Sequence, residues 1–327
     1  MKKYMLPLLV LAAIIAPARV GWTDPPAKPL AVRKLVADGR HNAFTALVRW
    51  QDALWLAFRT ADSHANGEAD IVVLRSSDGE AWSEALRLNV LPDDRDPQFL
   101  ATPGRLLMYL PSLEGSKLTS FVTHTSDGQT WTKPEPVYQP QFILWKPFAD
   151  GEGFLATAHK KVESAEGGKA REVHLIASRD GLAWEKVSTI RAGNWESETT
   201  VLRSDGDQLT AFIRTKYSVA GHIMEAMAPY AEWKERPAGV HLSGHSIHTF
   251  EGVTYLFSRT MDDAGANQGT MIYTYEEGSL KPYCQLPAGG DCSYPEAVQT
   301  DGEMLVSYYS THEGDTNIYL ARVPLKR

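Results

Sequence analysis

"SSDGEAW" at residues 76–82 is a tight polar turn closed by a tryptophan, and it returns as "TSDGQTW" at 125–131 and "SRDGLAW" at 178–184. Asp and Gly suit such a turn, one by bonding its own backbone, the other by accepting a positive φ. A tryptophan after it can fold back and cover apolar surface between neighbouring units. Trp82, Trp131 and Trp184 are spaced by 49 and 53 residues, and Trp233 and Tyr283 follow after 49 and 50. A period of that size marks a repeat architecture.

A second series keeps the same period. Hairpin-like pairs of apolar-rich runs start at 42 ("NAFTALVRWQDALWLAFR"), 96, 146, 196 ("ESETTVLRSDGDQLTAFIR"), 245 and 294 ("YPEAVQTDGEMLVSYYS"). Each joins two short runs through a turn with Gly, Asp or a polar pair. No stretch beyond the first residues has sustained helical periodicity. The expected fold is all-β, a six-bladed β-propeller of four-stranded antiparallel blades. One domain over 19–327 accounts for the whole repeat.

The first residues read as a leader. Lys2 and Lys3 precede the apolar run from Met5 to Ala16, and Ala16-Pro17-Ala18 has a small-x-small cleavage pattern. The run is shorter than the ~20 residues a bilayer span needs. Residues 1–18 are therefore expected to be a signal peptide, and the protein to be exported with no membrane span after cleavage. Loss of Lys2 and Lys3 moves the formal charge from −7 to −9. A body that acidic argues against nucleic acid as a partner. Cys284 and Cys292 fit either a local disulfide or two thiols held apart by strand geometry. No metal-ligand spacing and no Gly-rich phosphate loop occurs, so no metal or cofactor is expected.

In a propeller the first strand of each blade lines the central channel, and its leading end opens on one face. Those six ends carry His41 and Asn42, Arg95 and Asp96, Trp145 and Lys146, Glu196 and Glu198, His245 and His248, and Tyr294 and Glu296. Second strands return Arg59, Arg214 and Arg259 to the same face. So many ionisable groups converging from separate blades mark a site. A phenol such as Tyr294 needs a neighbouring base, which Glu198 can supply. Arg214 and Arg259 suit bidentate binding of a sugar carboxylate. Pro295 is expected to hold Tyr294 extended, as prolines do to the residue before them.

The turns resemble the Asp-box of the sialidase superfamily, S-x-D-x-G-x-x-W, shortened by one residue before the glycine. The resemblance extends in blade order over nearly the whole chain after the leader. It implies that Tyr294 in "CSYPEAVQ" is the nucleophile, Glu198 its base, and Arg214 and Arg259 ("FSRT") carboxylate-binding residues. The family's first arginine, before an Ile-Pro pair, has no counterpart in "HNAFT", and Arg59 and Arg95 are the cations at hand. For the acid/base aspartate, "RTADSHANGEAD" offers Asp62, His64 and Asp70. His41, Asn42, Lys146 and His248 complete the expected substrate-binding set.

The implied function is a secreted exo-acting glycoside hydrolase that releases a terminal anionic sugar, sialic or uronic acid, from a glycan. Two alternatives stay open on the same fold. One is a polysaccharide lyase in which a His or Tyr removes the proton beside a uronate carboxylate. The other is a glycan-binding propeller without catalysis.

Overall fold

A computed structural model describes residues 27–65, 67–163, 169–204, 206–216, 220–262 and 265–326. The expected leader at 1–18 lies outside the described residues. The chain is all-β, a propeller of antiparallel four-stranded blades. Four sheets have four strands each and a fifth has nine. Within the nine, the strands of residues 41–88 pair in sequence, as do those of 98–136, and the short strand Asp93–Asp94 ties the two runs together.

The strands His41–Trp50, Gln98–Ala101, Ile143–Asp150, Thr199–Arg203, Ser246–Phe250 and Cys292–Thr300 each touch the next in this order, and the last touches the first. They form a closed ring around one axis. The ring is sealed by a strand the repeat did not announce. Ala31–Val36 pairs antiparallel with Asn317–Pro324, which completes the sheet begun at Cys292.

No single core fills the molecule. Separate apolar clusters occupy the wedges between successive sheets, and the aromatics of the repeat lie in them. Trp82 packs against Leu54, Leu305 and Leu320, while Trp131 packs with Trp50, Trp55 and Leu106. Trp184 lies with Leu107, Tyr109 and Ile176, and Trp233 with Val173 and Leu209. Tyr283 departs from this pattern by packing on the other side, against Met304 and Val306 of the following sheet. Cys284 and Cys292 are both buried free thiols, so the disulfide alternative does not hold. Among the described residues no helix is long and apolar enough to cross a membrane.

The three polar turns share one bonding scheme. Asp127 Oδ1 accepts from the backbone N–H groups of Gln129 and Thr130, both at 2.8 Å, and Thr125 Oγ1 accepts from Gly128 N at 2.9 Å. Asp78 and Asp180 repeat it, and Gly79, Gly128 and Gly181 sit at φ of 78°, 72° and 75°. The indole N–H groups of Trp82 and Trp184 close their turns on the carbonyls of Gly79 and Gly181. Gly128 also has steric cause, since a Cβ there would lie 3.0 Å from the Trp55 ring.

Backbone N–H donors, with the Thr125 hydroxyl, depress the Asp127 pKa to about 2. A carboxylate with a lowered folded pKa stabilises fully above its unfolded pKa, and that stability is lost as pH falls through the folded value. Asp127→Asn should therefore lower the unfolding temperature at pH 7, by an amount that shrinks between about pH 4 and pH 2. Thermal unfolding of both proteins across that range checks it. Parallel curves would remove the charge from the account and leave only turn geometry.

Candidate active site at the leading ends of the first strands

The site is built on bulges. In three first strands two residues face one on the neighbouring strand, at Phe44–Thr45, Lys146–Pro147 and Tyr294–Pro295. A bulge re-aims side chains at the cost of ladder bonds. Phe44, Lys146 and Tyr294 accordingly take φ of 60°, 45° and 48°, and Asp96 takes 39° just before its strand. Such non-glycine conformations cost roughly 1–3 kcal/mol each. The expectation that Pro295 keeps Tyr294 extended is therefore corrected. Asp96, Lys146 and Tyr294 all precede a proline and all are left-handed; at Lys146 and Tyr294 the bulge geometry outweighs the local preference. Side chains from neighbouring first strands take up the displaced carbonyls: Thr45 Oγ1 donates to Tyr294 O at 2.6 Å, and Ser246 Oγ to Pro295 O at 2.7 Å.

This backbone brings four of the expected residues into one chain of contacts. Tyr294 Oη donates to Glu198 Oε1 at 2.7 Å, and Arg214 donates to the same oxygen at 2.6 Å. Gly244 N donates to Glu198 Oε2 at 2.8 Å. The Arg259 guanidinium lies 5.8 Å from the centre of the Tyr294 ring. Its donors reach Cys292 O at 2.7 Å and Tyr309 Oη at 3.2 Å, and it makes no ion pair among the described residues. Phe44, Trp145 and Tyr309 pack around the Tyr294 ring at centroid distances of 4.8, 5.8 and 6.1 Å.

Electrostatics sets these groups apart. Burial would raise Glu198, but the Arg214 charge and the three hydrogen bonds hold it well below the carboxylate range. Burial, then the charges of Glu198 and Asp96, push the Tyr294 phenol well above its ordinary value. Asp96 is the opposite of Glu198. Burial first and the Glu198 charge second raise it to about 6, and its buried Oδ1 has no hydrogen-bond partner.

The other expected residues fall into separate clusters. Arg59 and Arg95 both bond Asp93, Arg59 at 3.1 Å, so this carboxylate already engages both cations. His41 Nε2 and His64 Nδ1 lie 2.8 and 2.6 Å from one oxygen of Asp291, whose other oxygen accepts from Tyr309 Oη at 2.8 Å. His64 also meets the Phe44 ring edge-on at 5.3 Å. Lys146 and His248 converge on Glu296, Lys146 at 2.5 Å. Burial opposes its ionisation, yet their charges bring Glu296 to about 2. Asn42 bonds Asp38 beneath the face. Asp62 is a surface residue paired with Arg40, and Asp70 pairs with Arg87. Neither is brought to Tyr294. Glu196 and His245 are tied to Arg191 and to Phe212 O.

Asp291 and Asp93 were not singled out as site residues, and Asp96 was noted only as a strand-end group. His41, His64 and Asp291 offer three donor atoms within 4.8 Å of one another, the group among the described residues able to hold a metal ion. No motif spacing betrays it, because Asp291 is remote in sequence from both histidines.

No family model matches this chain, and the curated proteins yield no match. Solved structures do match. A mutant Trypanosoma rangeli sialidase displaying trans-sialidase activity superposes with a TM-score of 0.69 at 13% identity, over 86% of this chain and 54% of that one. A Hadza microbial sialidase gives 0.66 at 15%, over 87% and 66%, and the phage phi92 endosialidase 0.67 at 9%, over 91% and 69%. The likeness is one of fold, a sialidase-like propeller. This chain spans little more than half the length of the trypanosomal enzymes it matches.

Gly244 leaves little freedom beside the tyrosine. Its φ is 52°, and a Cβ there would lie 2.7 Å from Tyr294 Cδ2. Gly244→Ala should destabilise the fold by about 1–2 kcal/mol from the left-handed conformation alone, with displacement of the tyrosine ring in addition. Thermal unfolding and near-ultraviolet circular dichroism measure both effects. An unchanged midpoint with an unchanged tyrosine signal would show that the seat is looser than these distances imply.

Proposed function

We propose that this chain is an exported, exo-acting glycoside hydrolase with a six-bladed sialidase-like propeller as its one domain. It would release a terminal anionic sugar from a glycan. The closed ring of six first strands supports counting the nine-stranded sheet as two blades. The observation that carries the catalytic reading is the 2.7 Å bond from Tyr294 Oη to Glu198, beneath the Arg259 guanidinium. A neutral phenol can approach an anionic sugar without charge repulsion, which a carboxylate nucleophile cannot.

In the proposed reaction Tyr294 Oη attacks the anomeric carbon while Glu198 takes the phenolic proton. The glycosidic oxygen departs with a proton, and water then releases the sugar from tyrosine. In the free site Arg214 depresses the basicity of Glu198. A substrate carboxylate bound by Arg214 and Arg259 offsets that cationic charge and strengthens the base, so binding primes the proton transfer. Asp96 is assigned as the proton donor to the leaving oxygen. Two carboxyl groups whose environments push their pKa values apart are the usual arrangement for acid and base roles. His64, held by Asp291, is assigned to the rim and the recognition of substrate.

Tyr294→Phe should abolish turnover of sialosides or uronides while leaving ligand binding nearly unchanged, with the unfolding temperature lowered only by loss of the one hydrogen bond to Glu198. Full activity in that variant would overturn the nucleophile. Appearance of an unsaturated uronate by ultraviolet absorbance would instead favour the lyase alternative.

The proton-donor assignment makes a separate prediction about pH. A general acid works protonated, so kcat/KM should fall as pH rises past about 6, the value to which burial and Glu198 bring Asp96. Asp96→Asn should cut the rate by about 10²–10⁴ and remove that limb from what activity remains. A limb that survives Asp96→Asn and disappears in His64→Ala would move the role to the histidine.

A further inference from the structure

Beside the Tyr294 site, a cleft of about 270 Å³ opens between the strand runs of residues 98–136 and the sheet of residues 143–194. Asp96 stands in its wall and joins it to the site just described. The rest of its charged lining is basic: Arg95, Lys160, Lys161 and Arg171. Four cations around one carboxyl are unexpected in a chain of formal charge −7. Part of that charge is offset, since Arg95 bonds Asp93 and Lys160 lies 3.1 Å from Glu172. Lys161 has an exposed side chain and makes no ion pair among the described residues.

Two features make this a built cleft. His159 lines it, is 4% exposed, and has a buried Nδ1 without a hydrogen-bond partner. Asp96 Oδ1 is likewise buried and unpartnered. Unmet polar atoms buried beside a cationic rim are what a bound polar ligand would satisfy. At the far side the Arg171 guanidinium lies 5.7 Å from the ring of Trp195, and Lys216 Nζ lies 5.8 Å from the same ring. Trp195 is 39% exposed, one of few large apolar side chains left so open. An exposed indole between two cations offers a flat apolar surface to a sugar ring and charge to its acidic substituent.

We propose that this cleft is a second anion-binding subsite, which takes an oxyanion, carboxylate or sulfate, on the sugar residue next to the terminal one. The natural substrate is then a polyanionic glycan with acidic groups on successive residues. This rests on the proposed reading of the Tyr294 site, which holds the first acidic group.

The test is calorimetric binding of three synthetic disaccharides with a non-hydrolysable sulfur linkage to the intact protein, each made with a terminal uronic acid and again with a terminal sialic acid. The second residue is neutral, carboxylated or O-sulfated. The carboxylated or the sulfated form should bind about tenfold more tightly than the neutral one, the scale of one charge-assisted contact, and whichever gains more names the oxyanion. Lys160→Gln/Lys161→Gln, and Lys161→Gln alone as the milder variant, should erase that gain without changing the neutral probe. Equal binding of all three probes to the unaltered protein would overturn the subsite, as would equal losses for all three in the lysine variants. Arg214→Ala separates this inference from the reading beneath it. A gain that survives Arg214→Ala, with overall affinity unchanged, upholds the cleft and overturns the placing of the first acidic group.

Discussion

Everything at the axis depends on the buried carboxylate of Glu198. An ionised group 6% exposed costs several kcal/mol to desolvate unless charge and hydrogen bonds replace water. Here the replacement comes from three separate places in the chain: Arg214 on the return of its own hairpin, the amide of Gly244, and the hydroxyl of Tyr294. Two of the three reach it through an unusual backbone. Gly244 must be left-handed, Tyr294 must sit on a bulge, and Thr45 and Ser246 must take up the carbonyls that the bulge displaces. The strained conformations and the buried charge thus support one another.

Around that centre the surrounding basic side chains are mostly paired. Asp93 engages Arg59 and Arg95, Asp291 engages His41 and His64, and Glu296 engages Lys146 and His248. Arg259 stands out as a buried guanidinium, next to Tyr294, that bonds only neutral partners. No carboxylate pairs with it among the described residues, and on the proposed reading a substrate anion would do so. That contrast supports the proposed anion site more sharply than the number of basic residues on the face.

How much of this was legible in the sequence varied with the reach of each interaction. The Asp-Gly turns were readable because all their hydrogen bonds lie within a few residues, and a tryptophan at constant spacing exposed the repeat. Glu198, Arg214, Arg259 and Tyr294 could be named together because the repeat places strand ends on one face. The left-handed φ of Lys146 and Tyr294 was hidden, since a following proline argues locally for extension and only the bulge reverses it. Asp291 was hidden for a different reason. It acts on two histidines more than two hundred positions away, and no local pattern encodes such a bond. The sealing strand Ala31–Val36 shows no turn or aromatic of the repeat, so nothing in its sequence tied it to the final sheet.

That sealing strand orders the folding of the molecule in time. Its partner, Asn317–Pro324, comes after every other described strand, so the earliest described strand must wait for nearly all the rest. Until then the wedge holding Leu305 and Leu320 has one open side and the circle can still splay. Pairings between such distant segments form slowly, because a long loop must close before any contact compensates its entropy. Once made, the closure is hard to undo from either end. Fraying of Ala31–Val36 removes one edge of the final sheet, while the first strands beside Glu198 and Tyr294 keep their contacts within the ring.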